Sequence, residues 1–225
     1  MFRPEHCAVI IPCHNEAATI AQLVTAARRH VSTVIVVDDG STDDTAARAE
    51  KSGALVLTHP QRRGKGAALH TGLRHAVAQH FIWAATLDGD GQHQPDDLPR
   101  FFAAAQNTGA QLIIGNRMGA ADDMPPLRRS VNRLMSSTLS KLARQPLPDS
   151  QCGFRLLDLR VWSPLAVQAK HFEFESELLL AFCRAGSAVA FVPIAVIYAG
   201  ERSKISPLRD TCRWLLWLHR ARRTA

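Results

Sequence analysis

Several marks of specialised proteins are scarce in this chain. Cysteine occurs five times, an odd number, at Cys7, Cys13, Cys152, Cys183 and Cys212, with no Cys-x-x-Cys pair. Such scatter argues against a disulfide framework or a zinc knuckle and predicts a reducing, cytoplasmic setting. No apolar run is long enough to cross a bilayer as a helix; the longest, AVAFVPIAVIYAG, is interrupted by Pro193. The opening MFRPE lacks the apolar centre of a signal peptide. These absences predict a soluble or peripheral protein. Internal repeats and low-complexity linkers are missing too, so the reading is one domain with a C-terminal appendage.

What is present is ordinary in amount and uneven in placement. The 225 residues are 46% apolar and 21% charged, enough for a sizeable core. The formal charge is +7 and the pI about 9.6, which points to an anionic partner. From Glu201 to Ala225 there are seven basic residues and two acids, so that segment carries five of the seven charges. The basicity belongs to a tail, and the rest is near neutral.

The N-terminal half alternates two periodicities. AVIIP, TVIVVDD, ALVLTH and FIWAATLD are runs of the kind found in strands buried on both faces. Between them NEAATIAQLVTAARRH, STDDTAARAEKSG and KGAALHTGLRHAVAQH have helical spacing, with Ser41 or Thr42 as capping candidates. Strands separated by helices of this size predict βαβ units and a mostly parallel sheet. In open sheets of this kind ligands gather beyond the carboxyl ends of the strands. Here those ends are Pro12–Glu16, Asp38–Ser41 and Asp88–Asp90.

The stretch TLDGDGQHQPDDLP holds four aspartates. Asp88 and Asp90 flank a glycine, and carboxylates that close repel each other unless a cation lies between them or one keeps a proton. Hard oxygen ligands suit Mg2+ or Mn2+, with open positions for phosphate oxygens, and Gln92 or His93 would complete the shell. An acidic turn capping the next helix is the plainer reading. An EF-hand is excluded, because the sixth position from Asp88 is His93 and the twelfth is Pro99. Asp38 and Asp39, at a buried strand tip, need a donor, which a nucleobase imide or a ribose hydroxyl would supply. RRGKGAAL suggests a phosphate loop, but His59 stands where a Walker loop needs glycine.

In series, VIIPCHNE, VVDDGSTDDT, RGKGAAL, LDGDGQHQP and GNR resemble family 2 glycosyltransferases of the GT-A fold. GQH and DSQCGFR are similar to the branch of dolichol-phosphate mannose synthase and bacterial polyprenyl-phosphate sugar transferases, and the processive enzymes' Gln-x-x-Arg-Trp motif is absent. The likeness spans about residues 7–204. It implies an α/β fold with a Rossmann-like, mostly parallel sheet flanked by helices, and a nucleoside pocket lined by Pro12, Glu16, Asp38 and Asp39, with Lys65 close to the base. Asp88 and Asp90 would be the Asp-x-Asp metal pair, with Gln92 as a further ligand. Arg117 would meet phosphate, Asp149 would face the acceptor and Arg155 would hold an acceptor phosphate. Arg202 and Lys204, in YAGERSKI, would complete the anion site as part of a closing loop. Cys13-His14 stands where the family often carries tyrosine, and Gly89 where alanine is common.

The resemblance implies an inverting, metal-dependent transfer of sugar from a UDP- or GDP-linked donor to a polyprenyl phosphate at the cytoplasmic face of a membrane. A hydroxyl acceptor is the alternative, and would require Asp149 to take a proton. SPLRDTCRWLLWLHRARR reads as a basic amphipathic helix, with Leu208, Cys212, Leu215, Leu216 and His219 near one stripe and Trp214, Trp217 and Leu218 widening it. It suits a membrane surface, or a terminal helix packed on the domain. The expected division is a catalytic domain at 1–205 and this helix at 206–225. A nucleic-acid-binding protein is the rival prompted by the pI; the acidic cleft and the confinement of basic residues beside tryptophans argue against it.

Overall fold

The computed structural model describes residues 2–119, 124–195 and 207–223. Strands β1 (Cys7–Cys13), β2 (Thr33–Asp38), β3 (Leu55–Thr58) and β4 (Trp83–Thr86) alternate with helices α1 (Ile20–Ala27), α2 (Thr45–Lys51) and α3 (Lys65–Ala78). Then follow α4 (Leu98–Thr108), β5 (Leu112–Asn116), α5 (Pro126–Ala143), β6 (Arg155–Asp158), α6 (Leu159–Trp162), α7 (Phe174–Arg184), β7 (Val189–Pro193) and α8 (Pro207–Arg223). Every residue of β1, β4 and β6 is buried, as expected for strands with helices on both faces.

The strands form one seven-stranded sheet in the order β3-β2-β1-β4-β6-β5-β7. All pairings are parallel except those of β6, which runs antiparallel to β4 and β5. Sequence periodicity does not reveal that reversal, and it decides the site. Cys13 pairs with Asp38 and Ile10 with Thr86, so β1, β2 and β4 end at one edge. Because β6 is reversed, its first residue, Arg155, sits opposite Thr86, and the segment entering β6 reaches that same edge.

Two local details differ from the periodicity. The helical pattern from Asn15 starts late, at Ile20, because Asn15 takes a left-handed φ of 55° and its Oδ1 accepts from Thr42 N at 2.8 Å. Neither Ser41 nor Thr42 caps α2: Ser41 bonds back to Asp38, and Asp43 accepts from Thr45 N at 3.1 Å.

Helix α8 lies on the domain. Trp214, Trp217, Leu218 and Ala221 are buried, Trp214 Nε1 donates to Ser176 Oγ at 3.0 Å, and Arg184 Nη2 donates to Ala221 O at 2.6 Å. Of the expected stripe, Cys212, Leu215, Leu216 and His219 therefore face outward, the side chain of Leu208 lies outside the described residues, and the tryptophans expected to widen the stripe form the docked face. Packing prefers the larger aromatic area. No helix among the described residues is long and apolar enough to cross a membrane, and no disulfide joins any of the five cysteines.

Candidate functional site

At the carboxyl edge of the sheet, the turn after β4 carries Asp88 and Asp90, both half-buried with one side toward solvent. Backbone carbonyls fix its position: Thr19 Oγ1 donates to Gly89 O at 2.6 Å and Thr86 Oγ1 to Gly153 O at 2.7 Å. Close packing explains two glycines. A Cβ on Gly89 would lie 2.7 Å from Cys13 Sγ and 3.2 Å from Glu16 Cγ, and one on Gly153 would lie 2.6 Å from both Asp88 carboxylate oxygens. The DSQCGFR segment thus forms the floor beneath Asp88.

A protein cation supplies part of the positive charge that Asp88 requires. Lys65 Nζ is 2.6 Å from Asp88 Oδ1 and 2.6 Å from Glu175 Oε1, and 5.8 Å from the Phe172 ring centre. Burial alone would lower the Lys65 ammonium, but Asp88 and Glu175 outweigh it and raise it. Burial opposes ionisation of Asp88, yet the charge of Lys65, with His93 behind it, holds this carboxyl below the usual range. His93 is buried, with Nε2 3.8 Å from Asp88 Oδ2, and burial pushes its imidazole down to about 4 despite that carboxylate. It is neutral at pH 7. Asp90 Oδ1 accepts from Gln92 N at 3.0 Å, while Gln92 Oε1 accepts from Arg128 Nη1 at 3.4 Å.

The donor chemistry fits a divalent cation held partly by substrate. Among the described residues no three His, Cys, Asp or Glu side chains converge into a cage. Two half-buried carboxylates with an open side match the way Mg2+ or Mn2+ is held when phosphate oxygens and water complete the shell.

Beside this turn, the donors that Asp38 and Asp39 need come from the chain itself. Asp39 accepts from Arg63 N at 2.8 Å, Gly64 N at 2.7 Å and His59 Nδ1 at 2.7 Å; Asp38 accepts from Ser41 N at 3.1 Å. Asp39 therefore fastens the RRGKG turn to the tip of β2, which sets Lys65 at the start of α3. Pro12 is buried at the end of β1, and Glu16 is half-buried with its N–H donating to Thr45 Oγ1 at 2.8 Å.

On the other flank, Asp149 and Arg117 form a bidentate pair: Arg117 Nε donates to Oδ2 at 2.7 Å and Nη2 to Oδ1 at 2.8 Å. Asn132 Nδ2 adds a bond to Oδ1 at 2.9 Å. Burial would raise the Asp149 carboxyl, but Arg117 and Asn132 hold it below its ordinary range. Arg155, 1% exposed, donates to three carbonyls, Cys152 O at 2.8 Å, Ser150 O at 2.8 Å and Glu175 O at 2.7 Å. In this arrangement its guanidinium braces the 150–155 segment against α7 rather than facing a ligand. Arg202 and Lys204 lie outside the described residues.

Glu175, Asn132 and His59 complete the site without having been singled out as site residues, while Gly153 belongs to the DSQCGFR motif but was given no role of its own. Glu175 carries a signal in hindsight: it is an acid on the apolar stripe of α7, beside Phe174, Leu178 and Leu179. His59, Asn132 and Gly153 carry none that periodicity would expose.

Residues 8–162 match the family described as Glycosyl transferase family 2, and the chain belongs to that family. It is 29% identical over 84% of its length to the UDP-N-acetylglucosamine--dolichyl-phosphate N-acetylglucosaminyltransferase of Methanococcus voltae, covering 85% of that protein. It is likewise 29% identical over 84% of its length to the undecaprenyl-phosphate mannosyltransferase of Micrococcus luteus, covering 82% of it. Among solved structures, the glucosyl-3-phosphoglycerate synthase of Mycobacterium tuberculosis, in complex with Mn2+, UDP and glucosyl-3-phosphoglycerate, superposes with a TM-score of 0.72 at 25% identity, over 94% of this chain and 77% of that one. The protein is a glycosyltransferase with the GT-A architecture.

Proposed function

We propose that this glycosyltransferase moves a sugar from a UDP-linked donor to a polyprenyl phosphate at a membrane surface, by a single displacement that inverts the anomeric centre. The observation that carries the reading is the half-buried Asp88–Asp90 turn at the sheet's carboxyl edge, with Lys65 on one side and the Arg117–Asp149 pair on the other. The named acceptors of the two relatives support a lipid phosphate, and the UDP and Mn2+ of the solved neighbour support the donor and the metal.

Asp88 and Asp90 would hold the cation. It would supply positive charge where negative charge develops on the departing diphosphate. Lys65 adds a fixed charge at the same place. Asp149 is committed to Arg117 in three hydrogen bonds, two from the guanidinium and one from the backbone N–H, and kept ionised, so its role is to aim that guanidinium at the acceptor phosphate. A phosphate nucleophile is already anionic at pH 7 and needs no base, which agrees with a carboxylate that is not available to take a proton. Arg155 would act by holding the floor of the site. The nucleoside would lie over Pro12 and Glu16, beside the turn that Asp39 fastens, with Lys65 toward the diphosphate; Gln92 would join the metal shell on releasing Arg128. Arg202 and Lys204 would close over the donor.

The exposed face of α8, with Leu215 and Leu216 between Arg209, Arg220, Arg222 and Arg223, would rest on anionic headgroups. Transfer of radiolabelled sugar from UDP-sugars to undecaprenyl phosphate in vesicles, with Mn2+, tests the whole reading. We expect lipid-extractable product from wild type and none from Asp90→Ala. Product on phosphoglyceric acid or another hydroxyl acceptor, with none on polyprenyl phosphate, would replace the lipid acceptor by the hydroxyl one.

A further inference from the structure

Lys65 has two carboxylate partners at equal distance, and they differ in kind. Asp88 is half-buried at the mouth of the site, while Glu175 is 4% exposed on the first turn of α7. Among the described residues no hydrogen bond reaches Glu175 Oε2, and the carboxylate is faced by two cations, the Lys65 ammonium at 2.6 Å and the buried Arg155 guanidinium that donates to Glu175 O. The approach of the two helices is fastened by backbone: Ala67 N, in the first turn of α3, donates to Lys170 O at 3.0 Å, and the chain from there leads through Phe172 into α7. Lysine carries its charge on a flexible four-carbon stem, and can shift between neighbouring oxygens without backbone movement.

We propose that Glu175 is a positioning residue that accepts Lys65 from Asp88 when a divalent cation binds there. This rests on the reading of Asp88 as a cation ligand. A divalent ion and an ammonium on the same carboxylate repel each other strongly at the dielectric of a protein interior. Asp88 can hold the ion well only if the lysine has another place to put its charge. Glu175 and the face of Phe172 provide one within reach. From there Lys65 remains beside the site, directed at whatever anion completes the metal's shell. No covalent step is involved; one ion pair is exchanged for another.

Titration with Mn2+ alone, read by the electron paramagnetic resonance of the unbound ion, tests this in wild type, Lys65→Gln, Glu175→Gln and the double variant, with Asp90→Asn as the control for the site. Glu175→Gln should weaken Mn2+ binding about tenfold, because the lysine then stays on Asp88, and Lys65→Gln should strengthen it by a similar factor. The deciding comparison is the double variant. If Glu175 acts through the lysine, Lys65→Gln and the double variant bind Mn2+ equally. If Glu175 acts only as a nearby negative charge, the double variant is weaker than Lys65→Gln by the full factor, and the proposal fails. Glu175→Gln leaves Lys65 paired with Asp88, so the variant at risk is Lys65→Gln, which strips the ammonium from both carboxylates. Should it not fold, the 15N resonance of the wild-type Lys65 ammonium followed on adding Mg2+ decides, a shift meaning that the ammonium changes partner and an unchanged resonance overturning the proposal. A wild type indistinguishable from Asp90→Asn, with UDP present as well, would overturn the metal site itself and this inference with it.

Discussion

Asp149 and Gly89 show how much of the site is governed by single atoms. The Asp149 carboxyl is held below its ordinary range by Arg117 and Asn132 against the effect of burial. A depressed carboxyl contributes stability that is present above its unfolded value of about 3.9 and is lost as pH falls through the folded value. The gap in melting temperature between wild type and Asp149→Asn should therefore be full at pH 6 and shrink below about pH 4. A gap independent of pH from 6 to 3 would mean that the carboxyl titrates alike in folded and unfolded chains. At Gly89 the added methyl of alanine would meet Cys13 Sγ at 2.7 Å. Gly89→Ala should cost about 1–3 kcal/mol and impair nucleotide binding, and Cys13→Ala in the same chain should restore most of both. Denaturant unfolding and UDP calorimetry of the pair measure it; absence of rescue would show that the β1 backbone, not the sulfur, sets the limit.

Helix α8 has one docked face and one apolar face left in water. Trp214 and Trp217 bury their rings on the domain, while Leu215 and Leu216 are 53% and 61% exposed. On a helix these sets lie on opposite sides. Replacing Leu215 and Leu216 together by aspartate should leave the melting temperature within about a degree, since exposed substitutions change stability little. The same change should remove most binding to vesicles rich in anionic lipid. Sedimentation with such vesicles reads the loss; unchanged binding would overturn the proposed membrane role of this helix face. Helix α5 also leaves large apolar side chains in water, at Leu127, Val131 and Leu134, and the double substitution on α8 separates the two.

For the molecule as a whole, the site is a meeting of loops from distant parts of the chain, so its ligands should report on global stability. UDP and Mn2+ together, at about a hundred times the dissociation constant, should add about 2.7 kcal/mol. For a chain of this size that is roughly 5–10 °C in melting temperature. The shift should vanish in Asp90→Asn. A shift of the same size from UDP without metal would argue that the acidic turn is not where the diphosphate is held.

The parallel core was legible because buried strands of β-branched residues and intervening helical stripes carry their own periodicities, and AVIIP and TVIVVDD admit few alternatives. The acidic turns were legible because charge at a buried strand tip demands a reason. Charge alone did not identify the partner. Asp39 is satisfied by Arg63, Gly64 and His59, Asp88 by Lys65, and Arg155 by three carbonyls, all set by where remote segments fold. The reversal of β6 is what brings Gly153 and Asp149 to the edge where β1, β2 and β4 end, and strand direction leaves no trace in a period of two. The same holds for α8, whose stripe of leucines and stripe of tryptophans are equally apolar in sequence. Only the surface offered by α7 decided which one is buried.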